Sequence, residues 1–345
     1  MENILDFTRE ELAVWLGSNG VRPFRAGQIF KWLYIRQADR FEQMTDLSKD
    51  LRQKLETHFF IEQLVLEKKW VSKDRTEKFL HQLMDGQHIE SVLIPVKDHF
   101  TLCVSSQAGC AQNCRFCLTA KGGFVRNLST AEIIAQIRDA RDYLTGKDLD
   151  PAKLSNLVFM GMGEPLANYR NLVKALQIIT DTDYGLKFSS RRVTVSTSGL
   201  VPKITQLGLD TDVNLAVSLN ATTDELRSRL MPINQKYPLG QLLEACRTFT
   251  MKPRKKITFE YILMKGVNDS KIDALKLVRL LSPIKAKVNL IPFNEYENSE
   301  FKRPSKDQVS EFLQILLDRD FTAIIRKSKG DDILAACGQL RAKLY

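Results

Sequence analysis

From Thr101 onward the chain alternates short apolar runs with amphipathic stretches, and no other feature restricts its fold as much. The runs at 101–105, 157–160, 192–196, 213–219, 257–262, 288–292 and 322–326 fit strands. The stretches 130–144, 169–180, 239–251, 270–281 and 306–318 carry apolar residues at helical spacing. Serial βα units of this kind require a parallel sheet with crossover helices, built either as an incomplete (β/α) barrel or as a doubly wound sheet. Both architectures collect their chemistry at the carboxyl ends of the strands.

Upstream, Thr8 with Glu11 makes a capping box ahead of the apolar run 12–16, and Pro23 precedes a stretch carrying Ile29, Phe30, Trp32 and Leu33. A further helix starts after Ser48. The period then changes, with 78–84 and 87–96 flanking Asp85-Gly86, a two-residue hairpin signal. The expected organisation is a small helical domain at 1–75, a linking β-hairpin at 76–100 and an α/β domain at 101–345. No apolar run approaches the ~18 residues that cross a bilayer, and residues 1–15 are broken by charges rather than signal-like. A cytoplasmic protein without membrane contact is therefore expected. The formal net charge is +10, with most of the excess in the C-terminal third, which favours a polyanionic partner without identifying it.

Four of the six cysteines, at 103, 110, 114 and 117, crowd around the end of the first of these strands. In a large chain with no secretion signal such crowding points to a metal or redox site rather than a disulfide scaffold. Thiolates spaced as Cys110, Cys114 and Cys117 can bind three irons of a cubane cluster and leave the fourth open to a small molecule. A zinc ion completed by Cys103 or a histidine uses the same three thiols, and gives the competing reading of a non-catalytic, zinc-stabilised RNA-binding protein. All four histidines precede the run and no second cysteine pair follows at zinc-ribbon spacing, which favours the cluster.

Other strand ends carry unusual residues too. In Gly161-Met162-Gly163-Glu164-Pro165 the glycines permit close backbone approach, and Glu164 can accept from an ammonium. Ser196-Thr197-Ser198-Gly199, Ser218-Leu219-Asn220 and Asn294 bring small hydroxyl and amide side chains to three further ends, although ordinary turn chemistry explains each one singly. Read alone, Cys103 and Cys337 are inert apolar thiols like Cys246, and Glu90 is a solvated strand carboxylate.

The cysteine run resembles the signature of the radical S-adenosylmethionine superfamily. Together with 88–117, 161–166, 191–199, Pro232-Ile233-Asn234 and 326–340, it is similar to the RlmN family of dual-specificity RNA methyltransferases. The resemblance implies an α/β fold of the incomplete (β/α)6 radical SAM barrel type. It implies methylation of carbon 2 of adenosine in 23S ribosomal RNA, at the peptidyl transferase centre, and in transfer RNA next to the anticodon. It also implies a [4Fe–4S] cluster on Cys110, Cys114 and Cys117, with S-adenosylmethionine contacted by Gly163, Glu164, Ser196, Ser218, Leu219, Asn220 and Asn294. Cys337 matches a cysteine that carries the methyl group, Cys103 the thiol that resolves a covalent protein–RNA intermediate through a disulfide bond, and Glu90 an acid/base. An external electron donor and a thiol reductant follow as partners, and a monomer is expected. The related Cfr family methylates carbon 8 of the ribosomal adenosine, and Pro165 with Lys329-Gly330-Asp331-Asp332 favours carbon 2. The basic runs 252–256 and 326–329 are expected to hold RNA phosphates, with the adenosine flipped into the barrel mouth.

Overall fold

Ten strands hydrogen-bond into one sheet in the computed structural model, which describes residues 1–342. In chain order these are β1 (Val65–Val71), β2 (Glu77–Gln82), β3 (His88–Val96), β4 (His99–Cys103), β5 (Leu154–Phe159), β6 (Val193–Thr197), β7 (Asn214–Ser218), β8 (Ile257–Leu263), β9 (Ala286–Pro292) and β10 (Thr322–Ile325). Each strand pairs with the next in sequence, so spatial order and chain order coincide. The pairs from β4 to β10 are all parallel, and those from β1 to β4 all antiparallel. The expected strands are all present, shifted by one to three residues at their ends.

The helices α4 (Thr130–Thr145), α5 (Tyr169–Thr180), α6 (Val201–Asp210), α7 (Leu239–Arg247), α8 (Lys271–Leu281) and α9 (Lys306–Leu317) make the crossovers. They cover the outward face of the sheet, where Val195, Val217, Phe259 and Tyr261 are buried, and Tyr261 lies 5.5 Å from Phe312 of α9, ring to ring. Because strand side chains alternate, Ser196, Ser218 and Glu260 point the other way. Residues of β5 through β9 line a single cavity there, so the sheet is curved into an incomplete barrel.

The N-terminal helices form as their caps dictate. Before α1 (Arg9–Ser18) the Thr8 hydroxyl accepts from the Glu11 amide at 3.2 Å while Glu11 accepts from the Thr8 amide at 2.9 Å. α2 (Arg25–Phe30) follows Pro23, and Ser48 caps α3 (Lys49–His58). Their apolar side chains, from Ile4 to Phe59, belong to the same buried cluster as the barrel core. The structure differs from expectation at residues 65–71, which fall within the expected helical domain. They form β1, an edge strand with a register irregularity at Leu66/Lys68, and β1 extends the β2–β3 hairpin into a meander. No helix among the described residues is long and apolar enough to cross a membrane.

Candidate active site

Two cavities open at the carboxyl ends of the parallel strands, and Cys337 lines both. The first, of about 770 Å³, takes Cys110, Cys114 and Cys117 from one loop, Gly163 and Glu164 from beyond the end of β5, Ser196 from β6 and Ser198 just after it, Ser218 from β7 and Glu260 from β8. The second, of about 850 Å³, takes Cys103 from β4 together with Asn294, Arg326, Lys327 and Lys329. Met160 and Ile291 also line both.

The cysteine loop is shaped by its glycines and by a short two-stranded ribbon, Gln107–Gly109 against Phe124–Asn127. Gly109 adopts φ +78°, and a Cβ there would lie 2.1 Å from the Gly123 carbonyl oxygen, so only glycine fits. The Cys110 amide donates to that same carbonyl at 2.7 Å. Gly163, at φ +98°, lets the end of β5 close on Gln107, whose side chain accepts from the Glu164 amide at 2.8 Å. The Glu164 carboxylate accepts from the Ser198 amide (2.7 Å), the Ser198 hydroxyl (2.8 Å) and the Leu166 amide (3.0 Å). Burial raises its pKa against the pull of those donors.

Cys337 is held by a segment stitched to three parts of the molecule. The Leu118 amide, next to Cys117, donates to the Gly338 carbonyl at 2.7 Å, and Asn294 Nδ2 donates to the Cys337 carbonyl at 3.2 Å. Gln339 reaches the Glu295 carbonyl at 2.9 Å. The β1–β2 turn adds Ser72 to Asp332 at 2.5 Å, the Lys73 amide to Asp332 at 3.1 Å and the Gly330 amide to Asp74 at 3.3 Å.

Comparison with known proteins agrees with this architecture. Residues 2–61 match the model of the ribosomal RNA large subunit methyltransferase N-terminal domain, and 104–278 that of the radical SAM superfamily. A dual-specificity RNA methyltransferase RlmN from Desulfosudis oleivorans is 57% identical over 99% of this chain and 91% of its own length. One from Geobacter sulfurreducens is 54% identical over 100% and 93%. The chain belongs to the RlmN family of dual-specificity RNA methyltransferases. Its structure superposes on that of a radical SAM methyltransferase from Sphaerobacter thermophilus with a TM-score of 0.92, at 43% identity, covering 99% of this chain and 100% of the other.

A member of the RlmN family is a radical SAM enzyme, whose cofactors are a [4Fe–4S] cluster and S-adenosylmethionine. The donor set of the first cavity fits them. It offers three thiols on one loop and no histidine, and its Glu164 carboxylate already accepts three hydrogen bonds. Among the described residues no three Cys, His, Asp or Glu side chains gather around a single-ion position. Cysteines that bind a cubane bond to different irons and do not converge on one point. Burial pushes the Cys110 thiol up to about 12.

Several expected site residues lie elsewhere. Leu219 and Asn220 are fully buried but do not line the first cavity. Asn220, at φ +58°, accepts from the Ile262 amide at 2.9 Å and so fixes the end of β7 against β8. Asn294 faces the second cavity. Glu90, expected as a solvated carboxylate if it lacked a role, is 1% exposed, paired with Lys78 at 2.9 Å and accepting from the Arg341 amide at 2.7 Å, behind Leu340. The basic runs do not form one surface, because 252–256 precedes β8 whereas 326–329 follows β10. In a parallel sheet those positions are at opposite ends of the barrel. All six cysteines are free thiols, so no disulfide joins Cys103 to Cys337 in this state.

Two charged residues were missed by sequence reasoning. Arg227 is fully buried and donates to the carbonyls of Ser198 (2.6 Å), Ser218 (3.2 Å) and Leu219 (3.2 Å) and to Asn234 (3.0 Å). Asn234, in the quoted Pro232-Ile233-Asn234 motif, was the available signal. Glu260, a carboxylate inside the apolar run of β8, is the other.

Proposed function

We propose that this chain methylates carbon 2 of adenosine in large-subunit ribosomal RNA and in transfer RNA, with Cys337 as carrier of the methyl carbon. The observation that carries this reading is that Cys337 lines both cavities, one with the three-cysteine loop and one with Cys103 and the cations Arg326, Lys327 and Lys329. Carbon 2 lies between two ring nitrogens and is electron-poor, so it cannot attack an electrophilic methyl group directly. Bound in the first cavity, the [4Fe–4S] cluster and S-adenosylmethionine supply the methyl group and the one-electron chemistry that activates it.

Cys110, Cys114 and Cys117 hold the cluster, while Gly163, Glu164, Ser196 and Ser218 face S-adenosylmethionine. Leu219 and Asn220 support the same wall from behind, and Asn294 holds the Cys337 backbone. Bonded through its methylene to the adenine, Cys337 tethers RNA to protein until Cys103 attacks its sulfur. The sulfur–sulfur bond forms and the sulfur–carbon bond breaks. The electron pair leaves with the carbon, which takes up a proton and becomes the methyl group. A thiol reductant then restores both cysteines, and an external donor supplies electrons to the cluster. For Glu90 to manage the ring proton, the Leu340–Arg341 backbone that it now holds must move aside.

The domain at 1–75 and the linking segment at 76–100 complete the RNA-binding surface in this reading, the chain acting as a monomer in the cytoplasm. Anaerobically purified protein should carry iron and sulfide rather than stoichiometric zinc. Nucleoside mass spectrometry of ribosomal and transfer RNA, from cells with and without the gene, tests the product. Gene-dependent 2-methyladenosine is expected. Gene-dependent 8-methyladenosine, or no methylated adenosine at all, would overturn the reading.

A further inference from the structure

Glu260 projects from the middle of β8 into the first cavity and is 7% exposed. Its Oε2 accepts from the Ser196 hydroxyl at 3.2 Å, and its Oε1 meets the Arg326 guanidinium at 3.5 Å. Arg326 follows β10, its amide donating to the Leu290 carbonyl at 2.8 Å, and its side chain lines the second cavity beside Cys103 and Cys337, 3.7 Å from the Met160 sulfur. The pair thus spans the wall between the two cavities. A largely buried ion pair adds little to stability compared with apolar packing, so its presence beside two thiols calls for a chemical reason.

We propose that Arg326, held by Glu260, is a positioning residue for the resolution step: a fixed cation on the wall shared by Cys103 and Cys337 that favours the attacking thiolate of Cys103. The inference rests on the functional reading above. Cys103 needs such help, because burial pushes its thiol up to about 12 and Cys337 acts in the same direction, as does Glu260, while Arg326 acts in the opposite one. Lys327 and Lys329 line the same cavity and add positive charge at its rim. Only the thiolate attacks sulfur. The step balances without further reagents, since the proton lost by the Cys103 thiol is matched by the one gained at the methyl carbon.

The test uses holoenzyme with its cluster loaded, so that Cys110, Cys114 and Cys117 are protected. Alkylation of Cys103 by iodoacetamide is followed against pH by peptide mass spectrometry in the parent protein and in Arg326→Gln, Arg326→Lys and Glu260→Gln. Arg326→Gln should move the alkylation midpoint to higher pH by about one pH unit or more, and Arg326→Lys should restore most of it. Glu260→Gln removes a negative charge that opposes the thiolate and leaves the guanidinium in place, so its midpoint should lie below that of Arg326→Gln. Iron-replete Arg326→Gln should also accumulate a protein–RNA adduct on Cys337, as Cys103→Ala should. If Cys103→Ala traps nothing, the functional reading fails. If Cys103→Ala traps RNA but Arg326→Gln shows neither the shift nor the adduct, this inference fails alone. A Gln variant that does not retain iron leaves the Lys variant to decide, and a midpoint displaced in Lys as far as a neutral side chain would displace it overturns the proposal.

Discussion

The Ser72 hydroxyl donates to the Asp332 carboxylate at 2.5 Å, tying the β1–β2 turn to the segment that carries Cys337. The same turn supplies Asp74, whose carboxyl is held at about 2, against the effect of burial, by hydrogen bonds from Thr76 and Gly330. An edge hairpin therefore fixes the segment that leads to Cys337, the proposed methyl carrier. Asp332→Asn should leave iron content unchanged, increase cleavage after residue 326 in limited proteolysis, and slow RNA methylation, because the charge that Ser72 and the Lys73 amide hold is lost. Unchanged proteolysis and turnover would show that the tether is dispensable.

That tether depends on the strand that sequence reasoning missed, and the reason is physical. β4 to β10 lie under helices on one face and around the cavities on the other, so their runs are nearly continuous in apolar residues and stand out. β1 pairs only with β2 and is mostly exposed, with Glu67, Lys68 and Lys69 at its centre, and such an edge carries no hydrophobic alternation to detect. The cysteine loop and the glycine segment were legible because few backbones tolerate their residues. Glu260 and Arg227 were not, since a lone charge inside an apolar stretch shows its partner only after folding. The burial of Glu90 was not legible for the converse reason, being created by Lys78 and the distant Arg341 backbone.

Cys110→Ala, Cys114→Ala and Cys117→Ala should each abolish cluster assembly, because no other cysteine lies on that loop. Iron and sulfide analysis of anaerobically reconstituted protein, with absorbance near ~400 nm as the signature of an iron–sulfur centre, provides the measurement. Full iron content and intact cleavage of S-adenosylmethionine in any one variant would remove that cysteine from the ligand set.

Stability should fall as pH rises from about 6.5, above which the buried neutral His81 no longer contributes an opposing rise, to about 8. Burial raises Glu62 to about 7, with Glu132 and Asp6 adding repulsion, and raises Asp139 to about 7. Each folded-state value exceeds the model-compound value, so the folded protein holds protons that the unfolded chain has released. The stabilisation is complete below the unfolded values and is lost as pH passes through about 7. Thermal unfolding should show a midpoint that declines over this range, and Glu62→Gln, which keeps the amide partner for Asn3 but cannot ionise, should flatten it. A Glu62→Gln profile as steep as the parent's would assign the dependence to other groups.

Cys103→Ala should differ from Cys337→Ala in a way that loss of stability cannot imitate. If Cys337 is the carrier, Cys337→Ala should retain iron and form no adduct. Cys103→Ala leaves the carrier in place and blocks only the last step, after Cys337 has bonded to RNA. It should accumulate a protein–RNA crosslink that survives denaturant and collapses, on nuclease digestion, to a nucleotide-tagged peptide containing Cys337. The double variant should show none, because no carrier remains. Iron content separates this outcome from misfolding, since a protein without its cluster makes no adduct at all. Cys103 is buried, and the alanine leaves only a small void beside Val158, so the fold should tolerate the change. An iron-replete Cys103→Ala protein that turns over at the parent rate would reduce Cys103 to a packing residue of β4.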